Sequence, residues 1–591
     1  MQTMTLPGSG RRSLNWPRGV VVTLASIAIF LPLFLIFYQS FLSAPFFMPV
    51  KELGLDAYRF IFDDPDFSMA FKNAFYLATG LTAIAVPLGG MLAFLMIRTD
   101  LPGKGFIAPL LLVPIFVSPM VMGFGYVVSM GPVGFYSLWA KDILGLIPWN
   151  IYSFTSIVVI AGLTHVPHVY LYASSALKSL GSDVEEAARV SGASPLQVMF
   201  NVSLPMITPA LAYAGVLVFF LGFEVFGLVL VLGDPEGHMV LATYLYKLTN
   251  KLGTPSYHLM AAVAVCLVMV TMPLVMVQRY LLKSANKFVS IKGKGARSKA
   301  MPLGRWKWLA FALIFAWLMF TIIMPLSGIV LRSFVQYWGE GVKLADVLTL
   351  QHFREILEQP ALIRGIVNTV LIGVIGGALA VICYSAIALA MHRKPDAITR
   401  FLDYSVLVPR AVPGLLAGLS FLWVFLFVPS WLDGALKGMD NGVALWLSEH
   451  AIPLLRSVRS TIFALWLAYS VVWLAYGMRL ISTALLQVGP ELEEAARAVG
   501  ARRGQVTRDV TLPLVKYGLL GAWLMVFLIF EREYSTGVYL LTPGTEVIGA
   551  MIVSLWATGS TDLVAALSFI NISLVAIGLG IALRFGVKLH N

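Results

Sequence analysis

The chain has 591 residues, 59% of them hydrophobic and only 12% charged. A soluble domain carries roughly 25% charged residues, so half that share over this length excludes an ordinary soluble protein and points to a polytopic membrane one. The net charge of +12 does not argue for nucleic acid, because the basic residues cluster beside apolar stretches, the pattern of cytoplasmic loops.

Arg11, Arg12 and Arg18 precede an apolar run that reaches Leu42. The run is too long for a signal peptide's apolar core and lacks a small-residue cleavage site, so it reads as an uncleaved first span. A spanning helix needs about 20 mostly apolar residues. By that measure the first half contains spans at Val20–Leu42, Ala74–Ile97, Phe106–Met130, Ile157–Ala176, Ile207–Leu232 and Leu259–Tyr280. The second half contains Trp308–Leu331, Ile366–Met391, Tyr404–Val428, Thr461–Met478, Tyr517–Phe530 (continued through Glu531–Tyr539) and Leu563–Leu583. The prediction is an all-α integral membrane protein of about twelve transmembrane helices. Cys266 and Cys383 lie far apart inside apolar runs and offer neither a disulfide framework nor a metal site.

Lys and Arg placement sets the sidedness. Arg98 and Lys104 follow span two, and His392, Arg393, Lys394 and Arg400 follow span eight. Between Arg279 and Lys307 lie nine Lys/Arg and no acid. The loop after span one instead carries Glu52, Asp56, Asp63, Asp64 and Asp66, and that after span seven Glu340, Asp346, Glu355 and Glu358. Alternation closes with both termini in the cytoplasm.

The two halves repeat each other. Asn73…Arg98 matches Asn368…Arg393 at an offset of 295, as Leu112-Val113-Pro114 matches Leu407-Val408-Pro409. The offset then grows to 308, which places about 13 extra residues in the outer loop around Pro429–Arg459. Two six-span units in one chain are parallel repeats, related by an axis along the membrane normal. The expected domains are residues 1–280, a basic cytoplasmic linker at 281–305, and residues 306–591.

One polar segment recurs in register. Glu185-Glu186-Ala187-Ala188-Arg189-Val190-Ser191-Gly192, running on to Leu204-Pro205, returns 308 positions later as Glu493-Glu494-Ala495-Ala496-Arg497-Ala498-Val499-Gly500, running on to Leu512-Pro513. Both copies fall in the cytoplasm. Ser182-Asp183-Val184-Glu185 has capping-box spacing, and Glu185 and Glu186 suit the first turn of a helix dipole. Gly192 suits a left-handed stop, and Ser194-Pro195 opens a second helix. Gly489-Pro490 and Gly500 do the same work in the second copy. The paired alanines leave one face small enough to lie in a groove on another protein.

This repeated segment resembles the Glu-Ala-Ala loop of permease subunits of type I, binding-protein-dependent ATP-binding-cassette importers of bacteria. The resemblance implies two tandem units of that permease fold in the cell inner membrane. It implies that the loops at 182–205 and 489–513 are coupling helices docked on two copies of a cytoplasmic ATPase. By resemblance Glu185, Glu186, Ala187, Ala188 and Gly192, with Glu493, Glu494, Ala495, Ala496 and Gly500, are the docking residues. The partners implied are that ATPase and an extracytoplasmic solute-binding protein. The chain itself would be no enzyme and bind no cofactor, with ATP and Mg used by the ATPase. Consistently, no GxxxxGK[ST] phosphate loop occurs, and Gly293-Lys294-Gly295 lacks the spacing. Fused units of this length are similar to ferric-iron permeases; thiamine, phosphonate or organophosphate, and polyamine permeases are the alternatives within the class. An ion-gradient-driven secondary transporter is the alternative outside it, and leaves the duplicated loops unexplained.

Ionisable groups inside spans are functional candidates by default. Glu224 ends 17 charge-free residues of span five, and Glu531, Arg532 and Glu533 stand near the equivalent depth in span eleven. Arg410, between Pro409 and Pro413, suits an anionic cargo better than a bare ferric ion. His165 and His168 share a helix face, but no third ligand accompanies them, so no metal site is assigned.

Overall fold

A computed structural model describes residues 16–49, 51–180, 183–250, 256–288, 300–392, 396–439 and 441–584. Among these the elements are helices, with three isolated bridges in place of any sheet. Among the described residues ten helices are long and apolar enough to cross a membrane, or up to twelve when each of two sharply bent pairs counts as one span.

In the N-terminal half the principal helices are α1 (Trp16–Ser40), α2 (Pro65–Arg98), α3 (Pro119–Met130), α4 (Phe154–Ser179), α5 (Asp183–Val190), α6 (Thr208–Glu224) and α7 (Tyr257–Phe288). In the C-terminal half they are α8 (Trp306–Ser333), α9 (Pro360–Met391), α10 (Gly414–Lys437), α11 (Gly442–Ser457), α12 (Ile462–Val472), α13 (Leu474–Leu486), α14 (Pro490–Ala498), α15 (Leu512–Arg532) and α16 (Thr561–Arg584). The repeat is carried into detail. Asn73 donates to Met239 O at 2.9 Å, and Asn368 donates to Glu546 O at 2.9 Å, so the matched asparagines tie corresponding helices to corresponding loops.

Each half lends its first helix to the other. α1 packs on α7 of its own half and on α10 and α9 of the second; α8 packs on α16 of its own half and on α3 of the first. The seams are specific. Arg18 at the start of α1 holds Asp396 at 2.5 and 2.8 Å and Thr399 at 2.9 Å. Tyr126 of α3 donates to Phe320 O at 3.1 Å, and Tyr136 and Ser327 share a 2.7 Å hydrogen bond. Gly125 lies so close to α8 that a Cβ there would stand 2.6 Å from Pro325 O.

Several predicted spans are interrupted. The third breaks at Val117-Ser118, both extended, so that a continuous helix begins only at Pro119. The ninth opens with a 3-10 turn at Val408–Ala411, and its long helix starts at Gly414 and runs on to Lys437. The fifth ends at Glu224, with a short helix resuming at Gly227. The tenth breaks at Trp473, between α12 and α13. Prolines at 114, 119, 409 and 413 explain the first two breaks, since each lacks an N–H and restricts its predecessor. The extra residues of the second half are not a loop but a helical hairpin, α11 packing back along α10. The sixth span's helix continues to Phe288, into the expected linker, and residues 289–299 lie outside the described ones. Where the chain resumes, Met301 pairs with the backbone at the end of α2, receiving from Asp100 N at 3.0 Å and donating to Arg98 O at 2.8 Å.

Candidate functional site

The repeated segments form short helices, α5 and α14, on one end of the bundle. Each ends as its sequence demands. Gly192 and Gly500 have φ of 89° and 90°, and Ala193 N and Ala501 N reach back to Ala188 O and Ala496 O at 3.0 and 3.1 Å. That six-to-one bond with a left-handed glycine is a Schellman stop. Ser194 and Gln197 form a reciprocal capping box that opens the next helix. Ser182, the predicted cap of α5, lies outside the described residues.

The two glutamates of each pair do different things. Glu185 is only 5% exposed. Its carboxylate receives Arg98 Nε at 2.9 Å and Ser203 Oγ at 2.7 Å. Arg98 also donates to the carbonyls of Leu177 and Leu180 at 2.9 and 3.0 Å. One ion pair thus joins the ends of α2 and α4 to α5. In the second copy Glu493 is 3% exposed and is met by His392 Nε2 at 3.1 Å, Thr511 Oγ1 at 3.0 Å and Arg497 at 3.3 Å. Ser203 and Thr511 are 308 residues apart, and each ends a π-helical turn, Met199–Ser203 and Thr507–Thr511. A π turn inserts a residue into the helical ladder, and here it aims the hydroxyl at the buried carboxylate. Glu185 and Glu493, expected among the docking residues, therefore face the protein's own interior. Glu186, Ala187, Glu494 and Ala495 face outward, and Ala188 and Ala496 are half-buried. Beside them Val190 and Val499 are 89% and 87% exposed, an apolar rim unusual on so polar a helix.

A second constellation lies where the halves meet. Phe226 and Tyr534, equivalent at the 308 offset, stack with parallel rings 6.1 Å apart, and Gly227 N donates to the Tyr534 hydroxyl at 3.0 Å. Around this contact three arginines of the C-terminal half reach into the N-terminal half. Arg410 lies over Phe220 at 5.6 Å. Arg479 donates to Tyr213 OH at 3.1 Å and lies over Tyr172 at 5.9 Å. Arg532 donates to Ile115 O and lies over Trp473 at 5.6 Å. Glu224 is within electrostatic reach of Arg410 without an ion pair among the described residues. His165 and His168 stack at 5.4 Å, and no cluster of three potential metal ligands occurs among the described residues.

The other expected candidates are occupied elsewhere. Glu533 Oε1 receives the N–H and hydroxyl groups of Ser535 and Thr536 at 2.9–3.1 Å, and Oε2 receives Trp473 Nε1 at 2.8 Å. It caps the chain after α15. Glu531 turns away from the interface to Asn571 of α16, at 3.3 Å. Arg479 was not among the expected residues; it follows the point where the tenth span was predicted to end. The rule that singles out intramembrane charge applies to it once the helix is extended to Leu486.

The family described as binding-protein-dependent transport system inner membrane component matches residues 8–287 and 384–589. The chain belongs to that family. It is the permease component of an ATP-binding-cassette importer, a transport subunit and not an enzyme. Among curated members, a ferric transport system permease protein of Actinobacillus pleuropneumoniae is 24% identical over 90% of this chain and 72% of its own length. A putative ferric transport system permease of Haemophilus influenzae is 23% identical over 89% and 78%. The sulfate transport system permease CysW of Escherichia coli is 30% identical over 35% of this chain and 68% of its own. A solved bacterial transporter for alginate import is 20% identical, covering 47% of this chain and 96% of that one, with a TM-score of 0.38.

Proposed function

We propose that this permease imports ferric iron across the bacterial inner membrane, receiving it from an extracytoplasmic binding protein. The observation that carries the substrate is coverage: of the four relatives aligned over 84–90% of the chain, three are ferric transport permeases and the fourth is named for no substrate. The sulfate and molybdenum permeases align over only 35–36% of it. Two copies of a cytoplasmic ATPase, using ATP and Mg, dock on α5 and α14. The outward faces at Glu186, Ala187 and Val190, and at Glu494, Ala495 and Val499, form the contact. Both termini lie in the cytoplasm, as the basic loops require. Closure of the ATPase pair drives both coupling helices. The Glu185 and Glu493 anchors pass that movement to the ends of the spanning helices, and the interface at Glu224, Arg410 and Arg532 opens alternately to each side.

Uptake of 55Fe by a deletion strain under iron limitation tests the substrate: restoration by this chain supports it, and unchanged uptake of iron without it rejects it. Glu494→Lys tests the docking face, since ATP hydrolysis should continue while transport stops. Wild-type coupling in that variant would reject the assignment.

A further inference from the structure

Where the halves meet, two pairs of matched positions differ in charge. At the offset of 308, Glu224 corresponds to Arg532; at the offset of 295, Ile115 corresponds to Arg410. The pseudo-symmetric contacts are accordingly Arg532 with the Ile115 carbonyl and Glu224 beside Arg410. Arg479 adds a third cation from the same half. A charge within a bilayer normally finds an opposite charge. Yet none of these arginines makes an ion pair among the described residues: Glu533 is held by its own turn and acts on Arg532 only at longer range, and Glu531 points to α16. Three guanidinium groups thus share two carboxylates, Glu224 and Glu533.

Each guanidinium is also held in the same way, over an aromatic ring: Phe220, Tyr172 and Trp473. A guanidinium carries five N–H donors in a planar fork, more than the bonds to Tyr213 and Ile115 use, and that fork suits carboxylate or phosphate oxygens. Beside them, His168 Nδ1 is buried with no partner, within electrostatic reach of Arg410 and Arg532. A trivalent cation entering this surround alone meets more positive than negative charge.

We propose that the interface binds its cargo as an anion, so that ferric iron crosses together with oxygen-donor anions that leave the complex negatively charged, held by Arg410, Arg479 and Arg532. This rests on the iron reading above. The test uses the complete importer, with its ATPase and binding protein, in proteoliposomes supplied with 55Fe(III). One arm adds [14C]citrate and the other [32P]phosphate, which distinguishes a carboxylate from an inorganic oxyanion. Expected is ATP-dependent entry of iron and one labelled anion in fixed ratio. Arg410→Gln and Arg532→Gln should each lower both at least about tenfold, the worth of a charge-assisted hydrogen bond. Arg410→Lys and Arg532→Lys, which keep the charge but lose the planar fork, should recover part of the entry lost in the glutamine variants. That rescue separates loss of charge from loss of fold.

Iron entering with neither anion overturns the inference while leaving the iron reading intact. Co-entry undiminished in both glutamine variants overturns the assignment to these arginines. An anion entering without iron rejects the iron reading and leaves the anion-binding interface standing.

Discussion

Glu185→Gln keeps the shape of the side chain and removes its charge. In the wild type the pair with Arg98 is 6% exposed on each side, and removing one partner of such a buried pair costs about 3–5 kcal/mol. Glutamine retains an oxygen that can accept Ser203 Oγ, and Arg98 keeps the carbonyls of Leu177 and Leu180. The lower end of the range therefore applies. A loss of about 3 kcal/mol shifts the ratio of seated to released α5 by roughly a hundredfold. The membrane helices stay packed, because α2 and α4 contact each other along their length. Amide hydrogen exchange should then speed up across residues 183–190, with residues 490–498 of the second coupling helix as an internal control. Transport per ATP hydrolysed should fall in parallel. Unchanged protection of 183–190 together with unchanged coupling would refute the anchoring role.

Four further outcomes follow from other parts of the structure. Ser203→Ala and Thr511→Ala each remove one hydroxyl from a buried carboxylate, and each should raise local exchange of its own coupling helix by an amount equivalent to about 1.5–3 kcal/mol. Gly500→Ala meets no atom within 4 Å but must keep φ at 90°, so it should lower stability by about 1–2 kcal/mol through backbone strain alone, read as a lower thermal midpoint. Gly125→Ala would press a methyl group against Pro325 O and should cost about 1–3 kcal/mol, whereas Gly434→Ala, with open space around it, should not lower the midpoint. Arg18 and the Thr399 N–H hold the Asp396 carboxyl below the usual carboxylate range. A depressed carboxyl contributes above its unfolded value, about 3.9, and loses that contribution as pH falls through the lower folded value. The gap in thermal midpoint between the protein and Arg18→Ala should therefore hold steady from pH 7 to about 4 and close only below it.

Hydropathy made the spans legible because each must fill the bilayer with apolar side chains, and the repeat was legible because both copies keep the same turn chemistry at Gly192 and Gly500. What hydropathy does not carry is continuity. Val225-Phe226 is as apolar as its neighbours, so the break there could not be told from helix. Proline pairs mark the broken third and ninth spans, and the boundaries drawn across them began too early: the long helices start at Pro119 and Gly414, and the ninth runs on to Lys437. The exchange of α1 and α8 depends on contacts between residues hundreds of positions apart, beyond any local pattern. At the sites, the adjacent glutamates looked equivalent in sequence. Only the distances separate Glu185 and Glu493, turned inward, from Glu186 and Glu494. The shared hydroxyl at Ser203 and Thr511 was a readable signal, since it recurs at the same offset as the motif. Glu531 and Glu533 show the limit of reading charge from depth alone: helix rotation turns Glu531 to Asn571, and a tight turn fills both oxygens of Glu533 with hydrogen bonds.

The exchange of first helices also imposes an order on synthesis. Arg18 lies 378 residues before Asp396. At about 5–20 residues per second, α1 must wait some tens of seconds for the surface that will hold it. During that interval its outward side has only lipid or the membrane's own assembly factors for company. The N-terminal half is therefore an unfinished body when it leaves the ribosome, and it matures as a part of the whole chain. Joining the two units in one polypeptide guarantees that the second half arrives at the right place, in equal number, next to the helix already waiting for it.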